Sequence, residues 1–318
     1  MLPLEHYHTD ITAGEESGLL AEDTALLKAL AYFDLFNYPL LPEELRHFAA
    51  LPISPSNVAE RLSALVAAER IYCLQGYYSL QNNPLLVHRR KQGNERAALL
   101  IEKAQRIGKW LYRFPFVRGI CISGSLSKQF AQAHDDIDFF IITRRNRLWI
   151  ARTAMHLFKK LSYLTGKQHY LCMNYYIDED ALLIPEQNIF TAVEICTLLP
   201  VCGLPVIRDF AATNAWTNSF LPMATAPKTP ERDARNGIIK NTMEWLLGGK
   251  LGQWIENGCY QLTRRRWAHK VKQEKRNAKG ARMSLLTGRH FSKSNPGDFQ
   301  EKVLALYQQK WDAVIQKA

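Results

Sequence analysis

No C-x-x-C pair joins any of the six cysteines, Cys73, Cys121, Cys172, Cys196, Cys202 and Cys259. That absence argues against a structural zinc site, and several of the six sit in apolar runs, so buried free thiols in a reducing compartment are expected. The nine histidines include no H-E-x-x-H or other metal-ligand spacing. No apolar run approaches the ~20 residues that a membrane-spanning helix needs, and no membrane partner is expected. The first residues, Met1 to His6, are neither basic-then-apolar nor Arg-rich, which fits no secretory signal or transit peptide; the expected location is cytoplasmic. There is no internal repeat and no low-complexity tract. Acidic residues are in deficit, 30 against 41 basic, for a formal charge of +11. Such an excess favours anionic partners such as nucleotides or nucleic acid. What remains is ordinary: 47% hydrophobic and 22% charged residues in a chain of 318, enough for two or three units that each bury a core.

Residues 1–20 lack periodicity and read as a loose leader. A unit at 21–82 follows. Leu26, Leu27, Leu30, Phe33, Leu35 and Phe36 mark a helix that Pro39 stops. Pro42, with Glu43 and Glu44 behind it, opens a short second helix. Ser54 or Ser56 caps a third, which carries Val58, Leu62, Leu65 and Val66 on one face. Ile71–Leu74 and Tyr77–Leu80 around Gln75-Gly76 read as a hairpin. Three helices and a hairpin are the order of a winged helix-turn-helix. Between Ser54 and Arg70 the third helix has Glu60 and Glu69 against Arg61 and Arg70. A helix that reads a DNA groove brings cations to the phosphates, so the neutral balance favours docking of a protein or substrate, with nucleic-acid contact left open.

A long amphipathic helix, about 86–113, leads into the segment that carries the chemistry. In residues 119–142, Ile120 to Ile122 is an apolar strand that stops at Ser123-Gly124-Ser125. Glycine there lets backbone approach a ligand closely, and a helix starting at this point would aim N–H groups and its positive end at an anion. Ser125 adds a hydroxyl donor. Asp136-Ile137-Asp138 then opens a second strand, Phe139 to Ile142, and positions i and i+2 of a strand share a face. Asp135, one residue out of step, is expected on the opposite face. Two carboxylates heading a buried strand opposite a phosphate seat suit Mg²⁺, which is commonly held by one or two carboxylates plus substrate phosphates. A solvated acidic strand end is the plainer alternative, but this combination arises by chance in only roughly a few per cent of chains this long.

Gly-Ser, about ten residues, then Asp-x-Asp resembles the signature of the DNA polymerase beta-like nucleotidyltransferase superfamily. Gly124, Ser125, Asp136 and Asp138 match it one by one. Leu171–Tyr176 and Phe190–Ile195 look like the strand and helix that follow the core in bacterial proteins with a nucleotidyltransferase domain. The resemblance, over about a quarter of the chain, implies a small mixed sheet with helices packed on it, an NTP donor and Mg²⁺ dependence. Asp136 and Asp138 would then be the catalytic metal ligands, with Gly124, Ser125 and Lys128 at the phosphates. Two departures stand out. Leu126-Ser127-Lys128-Gln129 lacks the glycine that active members carry in the turn after Gly-Ser. Where they place a third carboxylate on the neighbouring strand, this chain offers Asn174, with Asp178 about 13 Å further along and Glu194 a distant substitute.

Beyond the core the reading is a helix at about 147–165 ended by Gly166, a strand at 169–177, a helix at 188–199, and a mostly helical remainder with a loop near 222–230. Between Arg264 and Arg282 stand nine cations against the single acid Glu274, with Trp267 and His269 interleaved. Such a helix could track a phosphate backbone with Trp267 as a stacking face, or present a solvated face. The expected fold class is α+β: a winged-helix-like unit (21–82), a nucleotidyltransferase-type mixed sheet with flanking helices (83–212) and a helical basic C-terminal region (213–318). The expected function is Mg²⁺-dependent transfer of a nucleoside monophosphate from an NTP to a small-molecule, protein or RNA acceptor. The alternatives are a catalytically degenerate nucleotide-binding or partner-docking module, and a winged-helix regulator.

Overall fold

The computed structural model describes residues 19–133, 135–162, 172–224, 237–273, 283–296 and 299–316. The leader up to residue 18, most of the 222–230 loop, and Lys275, Arg276, Lys279 and Arg282 of the basic segment lie outside them. Within the described residues the protein is a mixed α+β structure.

Helices α1 (Ala21–Asp34), α2 (Pro42–Phe48) and α3 (Pro55–Ala67) precede the hairpin of β1 (Tyr72–Leu74) and β2 (Tyr77–Ser79). Their starts follow local chemistry. Glu44 accepts the Leu41 N–H at 2.8 Å at the head of α2, and Ser54 Oγ accepts the Asn57 N–H at 3.1 Å at the head of α3. Helix α1 is buried along nearly its whole length. Its apolar residues share one core with α2, α3, Phe130 and residues Val303, Tyr307 and Trp311 of the last helix.

Helix α4 (Leu85–Leu111) leads to β3 (Val117–Ser123), the single turn α5 (Gly124–Ser127), β4 (Asp138–Thr143), α6 (Leu148–Ser162), β5 (Cys172–Asp178), α7 (Ile189–Cys196), β6 (Leu199–Cys202) and α8 (Leu204–Thr213). There follow α9 (Ile238–Leu246), α10 (Lys250–Lys272), β7 (Met283–Thr287), β8 (Phe291–Pro296) and α11 (Phe299–Gln316). One six-stranded sheet runs β6-β3-β4-β5-β8-β7. Only β4 and β5 pair in parallel, joined by the α6 crossover; the other neighbours are antiparallel. The central strands are apolar on both faces because both are covered. Ile120, Ile122, Phe139 and Ile141 pack under α4 and α6, and Cys121, Phe140 and Ile142 pack against Ile207 and Phe210 of α8.

Two elements depart from the sequence reading. The 188–199 helix stops at Cys196, and Leu199-Pro200-Val201-Cys202 is an edge strand, where a proline costs no interior ladder bond. The C-terminal region is not wholly helical: β7 and β8 extend the sheet beside β5. Their sequence is mostly polar, because an edge hairpin buries little, and it shows no clean alternation.

Candidate functional site

The site is built at the edge of the sheet where β3 ends and β4 begins. Ser123 pairs with Asp138 across the two strands, so the Gly-Ser turn sits against the Asp-x-Asp segment. Ile137 is fully buried in the core, which leaves Asp136 and Asp138 half-buried on the other side of the chain. Both charges reach Cys172, which heads the neighbouring strand. Burial first, then Asp138 and Asp136, push its thiol up to about 12. Both carboxylates thus lie within electrostatic reach of one thiol.

Gly124 has φ +72°, and a Cβ there would lie 2.7 Å from Asp138 Oδ2. Only glycine fits that conformation and that approach without strain. The missing side chain lets the Gly124 backbone seat directly against Oδ2. Ser125 Oγ donates to Asp135 Oδ2 at 3.4 Å, and the same oxygen accepts the Gln132 N–H at 2.8 Å. Asp135 does not point away as expected. It precedes the strand, where alternation does not apply, and its carboxylate holds Ser125. Nothing in the D-x-D spacing marks that role.

The helix after Gly124 is a single turn, so an anion here would meet the N–H groups of one turn rather than the end of a long helix dipole. The turn closes through Gln129 at φ +57°, a left-handed conformation that glycine commonly supplies. Braces come from outside: Tyr38 OH donates to the Lys128 carbonyl at 3.0 Å, and Asn94 Nδ2 to the Gln129 carbonyl at 2.6 Å. Lys128 Nζ donates to Glu194 at 2.7 Å and to the Gly124 carbonyl at 3.1 Å. In this arrangement it fastens the turn to α7, and Glu194 is its partner.

Asn174 is the extra residue of a bulge in β5, between the Phe139–Met173 and Phe140–Tyr175 pairs. Its Nδ2 donates to Asp138 Oδ1 at 2.5 Å, and its Oδ1 accepts from Cys172 Sγ at 3.2 Å. The neighbouring strand thus presents an amide, not a carboxylate, to Asp138.

Asp178 lies at the far end of β5, fully buried. Asp178, Asp180 and His290 offer ligand atoms within 4.8 Å of one another and could hold a metal. The sequence reading missed the group because His290 comes from the β7–β8 turn. The Asp178 oxygens, however, already accept from Asn146 N, Asp180 N and His290 Nδ1 at 2.9 to 3.0 Å, which ties three loops together. A cavity of about 320 Å³ opens at that same far edge. Two of its charges are engaged, Arg118 with Glu244 and Glu179 with the Arg145 N–H, and it does not reach the Asp-x-Asp pair.

The remaining sequence-predicted contacts divide. On α3, Arg61 is held by Asp23 at 2.9 and 3.2 Å. On α10, Arg264, Arg265, Arg266, Lys270 and Lys272 are exposed. Trp267 is half-buried, its ring 4.6 Å from the Arg152 guanidinium carbon, so that ring already stacks on a cation of the protein. No helix among the described residues is long and apolar enough to cross a membrane. No protein family, characterised protein or solved structure matches the chain.

Proposed function

We propose that the protein is a Mg²⁺-dependent nucleotidyltransferase that moves a nucleoside monophosphate from an NTP to a hydroxyl acceptor. The observation that carries this reading is the seating of the Gly124-Ser125 turn on Asp138, with Asp136 beside it. The acceptor oxygen attacks the α-phosphorus, the bond to the bridging oxygen breaks, pyrophosphate leaves, and the acceptor proton passes to solvent. Gly124 and Ser125 present the phosphate seat. Carboxylate oxygens fit Mg²⁺, a hard cation, with Asp136 and Asp138 as its protein ligands. Bound there, the ion would neutralise charge on the phosphate oxygens. Lys128 holds the turn in shape through Glu194 and the Gly124 carbonyl. The left-handed Gln129 supports the family resemblance, since it keeps the turn where the family's glycine is missing. The sheet and its flanking helices are consistent with a nucleotidyltransferase-type core, and the 21–82 unit with a winged-helix-like domain that braces the site through Tyr38.

A second reading rests on Asn174. An amide is a poor base, and this one occupies Asp138 Oδ1, which favours a module that binds a nucleotide without turning it over. Duplex-DNA recognition by α3 is weaker, because Arg61 is committed to Asp23. The test is titration with each NTP plus Mg²⁺, following binding and pyrophosphate release in the wild type and in Asp136→Ala and Asp138→Ala. Release that both variants lose supports the transferase. Binding without release, across a panel of acceptors, supports the degenerate module. Release retained in either variant would sink the mechanism.

A further inference from the structure

Helix α9 is packed inside out. A surface helix ordinarily buries an apolar stripe and shows its charges to water. Here the charged residues face the protein. Lys240, 1% exposed, donates to the carbonyls of Tyr112 and Val117 at 2.9 and 2.7 Å. Glu244 takes the Phe116 N–H at 2.7 Å and both arms of Arg118 at 2.8 and 2.6 Å. The apolar residues face outward: Ile238 is 85% exposed, Ile239 80%, Trp245 80% and Leu246 51%. They lie within an arc of roughly 120° opposite the charged anchor.

The next helix continues the pattern. Glu256 of α10 is buried, accepting the Trp149 and Ile150 N–H groups at 2.8 and 2.9 Å. Leu251, Trp254 and Leu262 stand outward, 59%, 75% and 53% exposed. On the same stripe, within roughly 80° by helical phase, follow Arg265, His269 and Lys272. The turn between the helices is fixed by Arg147, which donates to the carbonyls of Leu247 and Gly248 at 3.1 and 2.7 Å.

From residue 237 to 273 the exposed charges are all positive: Lys250, Arg264, Arg265, Arg266, Lys270 and Lys272. The two carboxylates in that stretch, Glu244 and Glu256, are the inward anchors. We propose that α9 and α10 form an interfacial membrane-docking surface that lies on an anionic bilayer. The aliphatic residues and the two tryptophans would enter the headgroup–acyl boundary, and the cations would meet the lipid phosphates. Charge selects this occupant. A second copy on the same face would bring the like charges together, and nucleic-acid stacking leaves Ile238, Ile239, Leu246 and Leu251 without purpose. Lying on a bilayer needs no spanning helix, and the inference does not depend on the transferase reading.

The experiment is co-sedimentation of the full chain with vesicles of phosphatidylcholine alone and of phosphatidylcholine with phosphatidylglycerol. Binding is expected on the anionic vesicles, weakened by added salt, with a blue shift of tryptophan emission. Trp245→Ser/Trp254→Ser, and separately Ile238→Ser/Ile239→Ser, should lower the affinity about tenfold or more. All four residues are exposed, so the thermal midpoints should hold. Absent binding to anionic vesicles, or binding that both double variants retain, overturns the proposal. So does a tryptophan-dependent dimer, or tryptophan-dependent capture of a single-stranded oligonucleotide, without vesicle binding.

Discussion

Replacing Asn174 by aspartate sets a second carboxylate against Asp138 where an amide now donates at 2.5 Å. Two unit charges relaxed to roughly 4 Å repel by about 4 kcal/mol at an effective dielectric near 20. The pair can escape by taking up one proton. At pH 7, protonating a carboxyl of ordinary pKa about 3.9 also costs about 4 kcal/mol, so neither route is the cheaper. Both groups are half-buried, and solvent screening brings the expected loss of stability to about 2–3 kcal/mol. Because the penalty is the absence of a proton, it should shrink by up to about 1.4 kcal/mol per pH unit on acidification. Mg²⁺ should remove it too, since a cation between the carboxylates replaces the missing proton. The assay is urea unfolding of wild type and Asn174→Asp at pH 7 and about pH 5, in chelator and in Mg²⁺. A variant as stable as wild type in chelator at pH 7 would refute the reasoning, because residue 174 would then not be held against Asp138. Pyrophosphate release that appears only in the variant would show that the amide is what disables the site.

Other perturbations probe the frame around it. Gly124→Ala should cost about 1–2 kcal/mol for its left-handed backbone and turn Asp138 aside, abolishing NTP binding in a calorimetric titration; Gln129→Gly should instead leave stability equal or raise it by up to about 1 kcal/mol. Lys240→Met should cost about 2–4 kcal/mol by stranding the Tyr112 and Val117 carbonyls, read as a shift of the urea midpoint. Burial, then the charges of Arg152, Lys159, Lys160 and Lys270, hold the His156 imidazole well below its ordinary value. The unfolded chain therefore takes a proton below about pH 6.5 that the folded state refuses. Its stabilising contribution is full above that pH and lost as pH falls, with a slope approaching 1.4 kcal/mol per unit. His156→Phe should flatten the pH dependence of the urea midpoint over that range.

Much of the core was legible because its signals are local. The stop at Ser123-Gly124, Pro42 and Ser54 at helix starts, and the hairpin at Gln75-Gly76 each follow from a few adjacent residues. The losses came where distance or context decides. Asp135 was misplaced because strand alternation was extended into a loop. The Lys128–Glu194 pair spans sixty-six residues and leaves no local signal. Strand β6 was hidden by Pro200, which only an edge position tolerates. The β7–β8 hairpin was hidden by a polar sequence that gains its place from β5 rather than from its own pattern. The inverted packing of α9 is of the same kind: the periodicity predicts an amphipathic helix but not which face turns inward.

The bulge in β5 has a consequence for how the site can change. Residue 174 has no partner on β4, since Met173 pairs with Phe139 and Tyr175 with Phe140. Deleting it would leave every ladder pair in place, because Met173 and Tyr175 already lie on opposite faces and pack in different cores. Exchanging its side chain likewise disturbs no ladder pair. Position 174 is therefore spare in the ladder, and what it brings to the site is the side chain it sets against Asp138. A single codon there could switch the pocket between a charged and a neutral wall, while the architecture on either side stays as it is.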